Sequence, residues 1–122
     1  MKHISFYLLY LAKLNLTMNK VFAISSVGKT KKSFLDLRFG KCESIVIYDT
    51  STKSISINEN PYKDILHSGT KLVELLISKG VSTIITGEVG PLVSNILEKE
   101  KIQLVLLKEE RIKIEDVLTR IS

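Results

Sequence analysis

Apolar residues recur along this chain in two periods. Val21–Ser25 (VFAIS) is a short, nearly continuous apolar run, which predicts a strand buried on both faces. Ser44–Asp49 (SIVIYD) and Ser54–Asn58 (SISIN) follow across Thr50-Ser51-Thr52-Lys53, and the second alternates strictly. That pairing predicts an antiparallel hairpin with one wet face. After Asn60-Pro61, a turn signal, the period changes to that of a helix. Leu72, Val73, Leu76 and Ile77 share one face of a helix expected from about Ser68 to Lys79, closed by Gly80. Val81–Thr86 (VSTIIT) and Ile102–Leu107 (IQLVLL) predict two more strands. Between them a helix carries Leu92, Val93, Ile96 and Leu97, with Pro91 in its first turn. Ile114, Val117, Leu118 and Ile121 mark a terminal helix. The order β, loop, ββ hairpin, αβαβα predicts an α/β fold with a mixed sheet of five strands and helices on its faces. Ligands of such sheets collect beyond the carboxyl ends of the parallel strands. Three segments qualify: the loop after the first strand, the Gly87–Pro91 turn and the end of the last strand.

The 122 residues suit one domain, and 44% hydrophobic content excludes a disordered chain. One Cys excludes a disulfide framework and any four-thiolate zinc or iron–sulfur site within the chain. The net charge of +5 is not spread over the surface. Residues 29–41 hold Lys29, Lys31, Lys32, Arg38 and Lys41 against Asp36, so most of the excess is one loop.

Met1 to Thr17 contains an apolar run, Ile4 to Ala12, after a basic start. The run is shorter than the about 20 residues that span a bilayer, and no small-x-small cleavage site follows it. It reads as an N-terminal extension, with a packing contact or a targeting segment as alternatives. The domain proper is expected over residues 18–122, in the cytoplasm.

In Asp36-Leu37-Arg38-Phe39-Gly40-Lys41-Cys42, a fork donor, an aromatic, a flexible backbone point, a cation and a thiol lie together. Arg38 offers bidentate anion binding and Lys41 a point charge. Cys42, if exposed beside these cations, is expected to have a lowered pKa and to serve as a soft-metal ligand. Otherwise Phe39 and Cys42 are core residues. Gly87-Glu88-Val89-Gly90-Pro91 leads from a strand into a helix, whose free N–H groups suit an anion. A tight turn needing glycine for its backbone angles explains the segment equally well. His67 precedes the first helix as a metal or anion ligand or as a plain solvated residue, with Ser68 as the expected cap. No nucleophile elbow and no Walker sequence occurs, and the basic loop has only Phe39 as an interleaved aromatic. A binding domain is favoured over an enzyme or a nucleic-acid module.

Asp36–Cys42, Asn60-Pro61, His67-Ser68-Gly69, Lys79-Gly80-Val81 and Gly87–Pro91, in this order and spacing, resemble the dinitrogenase iron–molybdenum cofactor biosynthesis family, the NifX/NifB C-terminal-like domain. The resemblance covers roughly Met18 to Leu107. It implies a ribonuclease H-like three-layer α/β/α fold and a non-catalytic carrier, with a regulatory or scaffold module that binds a partner protein or small anion without metal as the alternative. The cargo would be a preassembled iron–sulfur or molybdenum-containing cluster, and the partners cofactor-assembly proteins. It implies Arg38, Phe39, Gly40, Lys41 and Cys42 as first-loop binding residues, His67 and Gly69 as the second group, and Gly87 and Gly90 as the third. Cys42 and His67 would be the metal ligands. At two places the chain departs from the pattern: Leu66-His67-Ser68-Gly69 has a glycine fewer, and Lys101 stands where the family carries glycine.

Overall fold

The structure, a computed structural model, describes residues 20–109 and 111–122. The extension read over residues 1–17, and the start of the domain at Met18, lie outside the described residues. Five strands, β1 (Val21–Ser26), β2 (Ser44–Asp49), β3 (Ser54–Glu59), β4 (Thr83–Thr86) and β5 (Gln103–Leu106), form one mixed sheet in the order β3-β2-β1-β4-β5. β1 is antiparallel to β2 and parallel to β4, and β4 is parallel to β5. The near-continuous apolar run of β1 reflects its place at the centre, where both faces are covered.

Alternation along β1 divides the core in two. Phe22 and Ile24 point to one face, where they join Val46, Ile85 and the apolar stripe of α3 (Ile114–Ile121). Ala23 points to the other, toward Leu72 and Leu76 of α1 (Ser68–Ser78) and Val93 and Leu97 of α2 (Pro91–Lys99). Three layers result, with two helices on one face and one among the described residues on the other. Phe22 stacks on Tyr48 across the β1–β2 pair, ring centroids 6.3 Å apart. β3 is one of the two edge strands and is more open than expected. Five of its six residues are exposed, Ile55 and Ile57 included, whereas β5 at the other edge is largely covered.

Both strands that follow a helix start later than the apolar pattern predicts. Gly80 (φ 77°) ends α1, with its N–H bonded to Ile77 O and that of Val81 to Leu76 O. α2 ends identically: Lys101 (φ 58°) donates to Glu98 O and Ile102 to Leu97 O. Val81 and Ile102 thus spend their N–H groups on closing helices rather than on the sheet. Lys101 adopts the left-handed conformation that Gly80 reaches without cost, so the departure from the family's glycine falls where glycine has a physical advantage.

Candidate functional site

The carboxyl ends of β1 and β4 open onto a cleft of about 750 Å³. Its walls are Arg38–Lys41, the segment Leu66–Thr70 that begins α1, and Glu88–Val93 that begins α2. The three loops meet there because glycines allow their backbones to touch. A Cβ on Gly40 would lie 2.5 Å from Gly69 N and 2.8 Å from Gly69 Cα. One on Gly87 would lie 2.5 Å from Leu37 Cα, and beside that contact Arg38 and Glu88 form a parallel backbone bridge. Gly87 is therefore required by close approach and not by its backbone angles, since Gly80 alone among the described glycines has a positive φ. It is buried outside the cleft lining, whereas Gly90, with open space around its α-carbon, is in it.

Both helices direct their first turns into this opening. α1 is capped by His67, in the left-handed region (φ 60°), with no side-chain cap. The Ser68 expected in that role is instead a buried first-turn residue. Thr70 Oγ1 donates to His67 O at 2.8 Å, fixing the turn. α2 starts at Gly90-Pro91, again without a side-chain cap. The first N–H groups of each helix have no carbonyl of their own helix to bond, so two partial positive charges converge on one space.

Arg38 and Lys41 add whole charges. Arg38 is gripped by Asp36, which is 4% exposed: Oδ1 accepts from Arg38 N (2.9 Å) and Nε (3.2 Å), and Oδ2 from Nη2 (3.1 Å). The hydrogen bond and then the charge of Asp36 raise the guanidinium pKa further. Lys41 Nζ donates to Ile65 O at 2.9 Å, bracing the opposite wall. The lysines earlier in the loop do not reach the cleft. Lys29 pairs with Glu43 at 3.8 Å, and the exposed Lys31 and Lys32 are absent from the lining.

Phe39 is 3% exposed, so it anchors the loop in the α1–α2 core and offers the cleft little more than its edge. Cys42 corrects a larger expectation. Its thiol is fully buried in the same core and outside the lining. Burial first, then the nearby Asp36 charge, pushes its pKa up to about 12, opposite to the lowering expected of an exposed thiol. It is therefore not presented as a ligand, and of the two expected metal-binding side chains only His67 lines the cleft. Among the described residues no three His, Cys, Asp or Glu side chains are grouped to hold a metal ion. The lining offers an anion's periphery N–H groups, a guanidinium and an ammonium, opposed by one carboxylate, Glu88, and without a thiolate.

Asn60, read from sequence only as part of a turn, organises the first loop. Its buried Nδ2 donates to Gly40 O (2.9 Å) and Cys42 O (3.0 Å), and its Oδ1 accepts from Tyr62 N (2.9 Å). An Asn before Pro at the end of an edge strand was the available signal. Lys108, at the end of β5, donates to Gly87 O and ties the third loop from below.

Solved structures support the same architecture. The apo form of the orange protein from Desulfovibrio gigas superposes with a TM-score of 0.74 at 22% identity, covering 83% of this chain and 85% of that one. A candidate NifB protein from Thermotoga is 30% identical with a TM-score of 0.67, covering 82% of this chain and 84% of its own. Among curated proteins none matches the chain. The family model described as dinitrogenase iron-molybdenum cofactor matches residues 18–122. The chain belongs to the dinitrogenase iron–molybdenum cofactor family.

Proposed function

We propose that the cleft receives an anionic metal–sulfur cofactor, or a precursor of one, without covalent attachment, and that the chain is a carrier and not a catalyst. The observation that carries this reading is the convergence of two helix N-termini with Arg38 and Lys41 on one opening. Cys42 lies outside the site, so a cluster would arrive already assembled, with at most one metal position left open. Its outer sulfur and oxygen atoms would accept hydrogen bonds from the first turns of α1 and α2. His67 is the one side chain in the lining suited to completing a metal's coordination by nitrogen.

Leu66 (81% exposed) and Leu92 (59% exposed) flank the mouth. Apolar side chains so placed favour a protein contact at the rim, as handover from a cofactor-assembly protein would need. The test is anaerobic purification with metal and sulfide analysis, followed by titration with tetrathiomolybdate. Saturable binding that weakens in Arg38→Met supports the reading. Metal-free protein that stays indifferent to the anion overturns it.

A further inference from the structure

We infer that Asp36 is a positioning residue for the cleft, aiming Arg38 at the bound anion. The inference rests on the carrier reading above and adds to it the group that orients the principal cation. A carboxylate beside an anion site is at first sight misplaced, since it repels the ligand. Here its geometry is that of a bracket. Among the described residues, all three hydrogen bonds made to its carboxylate come from Arg38, at 2.9, 3.2 and 3.1 Å.

The bracket is itself fixed to the sheet. Asp36 N donates to Ser25 O at 2.9 Å, and Asp36 O accepts from Ser25 Oγ at 2.6 Å and from Thr86 Oγ1 at 3.4 Å. Ser25 is the penultimate residue of β1 and Thr86 the last of β4, the two parallel strands whose carboxyl ends carry the cleft. The orientation of the guanidinium is thus tied to buried residues of the two central parallel strands. A guanidinium has five N–H groups. Asp36 takes Nε–H and one from Nη2, leaving the remainder on a side chain that is 62% exposed and lines the cleft. A free arginine would have to lose rotamer freedom on binding, whereas this one has already lost it.

The Asp36→Asn variant separates positioning from charge. It removes a negative charge, so Coulomb attraction alone predicts tighter anion binding. Positioning predicts the reverse, because an amide NH2 then faces a guanidinium N–H and the bracket opens. With tetrathiomolybdate under anaerobic conditions, the dissociation constant is expected to rise about tenfold, the scale of one charge-assisted hydrogen bond. In an Arg38→Met background the same change should cause no further loss, a coupling that a general loosening of the fold would not produce. Nitrogen-15 NMR of the unliganded protein supplies a readout free of ligand. The Arg38 Nε–H should be slow to exchange in the native chain and fast in Asp36→Asn. Should that variant not fold, Asp36→Glu, longer by one methylene, should show the same changes in weaker form. Binding by Asp36→Asn as tight as that of the native chain, or tighter, overturns the inference and leaves the carrier reading standing. A native chain that binds no tetrathiomolybdate removes the carrier reading, and this inference with it.

Discussion

Residues 29–33 and 36–42 belong to the same loop, both carry cations, and they do opposite things. The first stretch has three lysines and faces away from the cleft. Its contribution is made through carbonyls: Lys31 O accepts from Glu115 N at 2.8 Å and Ser33 O from Ile114 N at 2.9 Å, which secures the start of α3. The second stretch has two cations, and it is fastened at nearly every residue. Asp36 is held by Ser25, Arg38 by Asp36, Phe39 by the core, Gly40 by Asn60 and Gly69, and Lys41 by Ile65. Density of charge is a poor guide to a site on a small basic protein. Charge held at a fixed position against rigid neighbours is a better one, because an anion gains most from donors that need not be ordered when it binds.

The sharpest way to break this contrast is to place one methyl group in the second stretch and another against the first, at Gly28, whose neighbour is Ser33. Gly40→Ala sets a Cβ 2.5 Å from the Gly69 backbone nitrogen, which cannot move without displacing α1. A loss of about 3 kcal/mol is expected in urea denaturation, together with loss of anion binding. Gly28→Ala meets the Ser33 hydroxyl at 2.4 Å, which can rotate away, and Ser33 Cβ at 3.1 Å, which must shift slightly, and should cost about 1 kcal/mol. Equal costs would remove the distinction between the two halves.

Next in size is Asn60→Ala. It leaves the carbonyls of Gly40 and Cys42 without the amide that bridges them, at an expected cost of about 2 kcal/mol by thermal or chemical unfolding. A control lies at the opposite end of the molecule. Lys101→Gly relieves a left-handed backbone and should raise stability by about 1 kcal/mol with no change in binding. The smallest effect is assigned to the first half of the loop. Lys31→Ala with Lys32→Ala should change tetrathiomolybdate affinity by less than about twofold at moderate salt, since exposed charges outside the cleft are screened. A tenfold loss there would return the anion to the lysine-rich stretch.

How much was legible beforehand follows the range of the interactions. The five strands, the hairpin and the three helices rest on periodicity and turn residues, and they stand within one or two residues of expectation. The apolar pattern places Val81 and Ile102 in strands because apolar content does not show where an N–H group is spent. Sheet topology indicates two of the three walls, the first loop and the Gly87–Pro91 turn. The end of the last strand, which it also indicates, is absent from the lining, and the Leu66–Thr70 wall is legible only through resemblance. The orientation of individual side chains is legible through neither. A loop has no period, so nothing near Cys42 tells which way it faces, and its neighbour Lys41 is solvent-exposed. Asn60 acts 18 and 20 residues back along the chain, and Gly87 packs on Leu37 from 50 residues away in sequence. Such contacts exist only once the sheet has formed.

The thiol beneath Gly40 offers a clock. Cys42 is the only cysteine of the chain, it is 0% exposed, and burial keeps it protonated far above neutral pH. A thiol-specific reagent at pH 8 can react only during moments when the first loop lifts from the core. At saturating reagent, labelling therefore counts how often the loop opens. A cargo anion held between Arg38 and the helix starts should slow that count, whereas the native chain without cargo sets its baseline. An immediate, stoichiometric reaction in the folded protein would show that the lid over this sulfur is not closed.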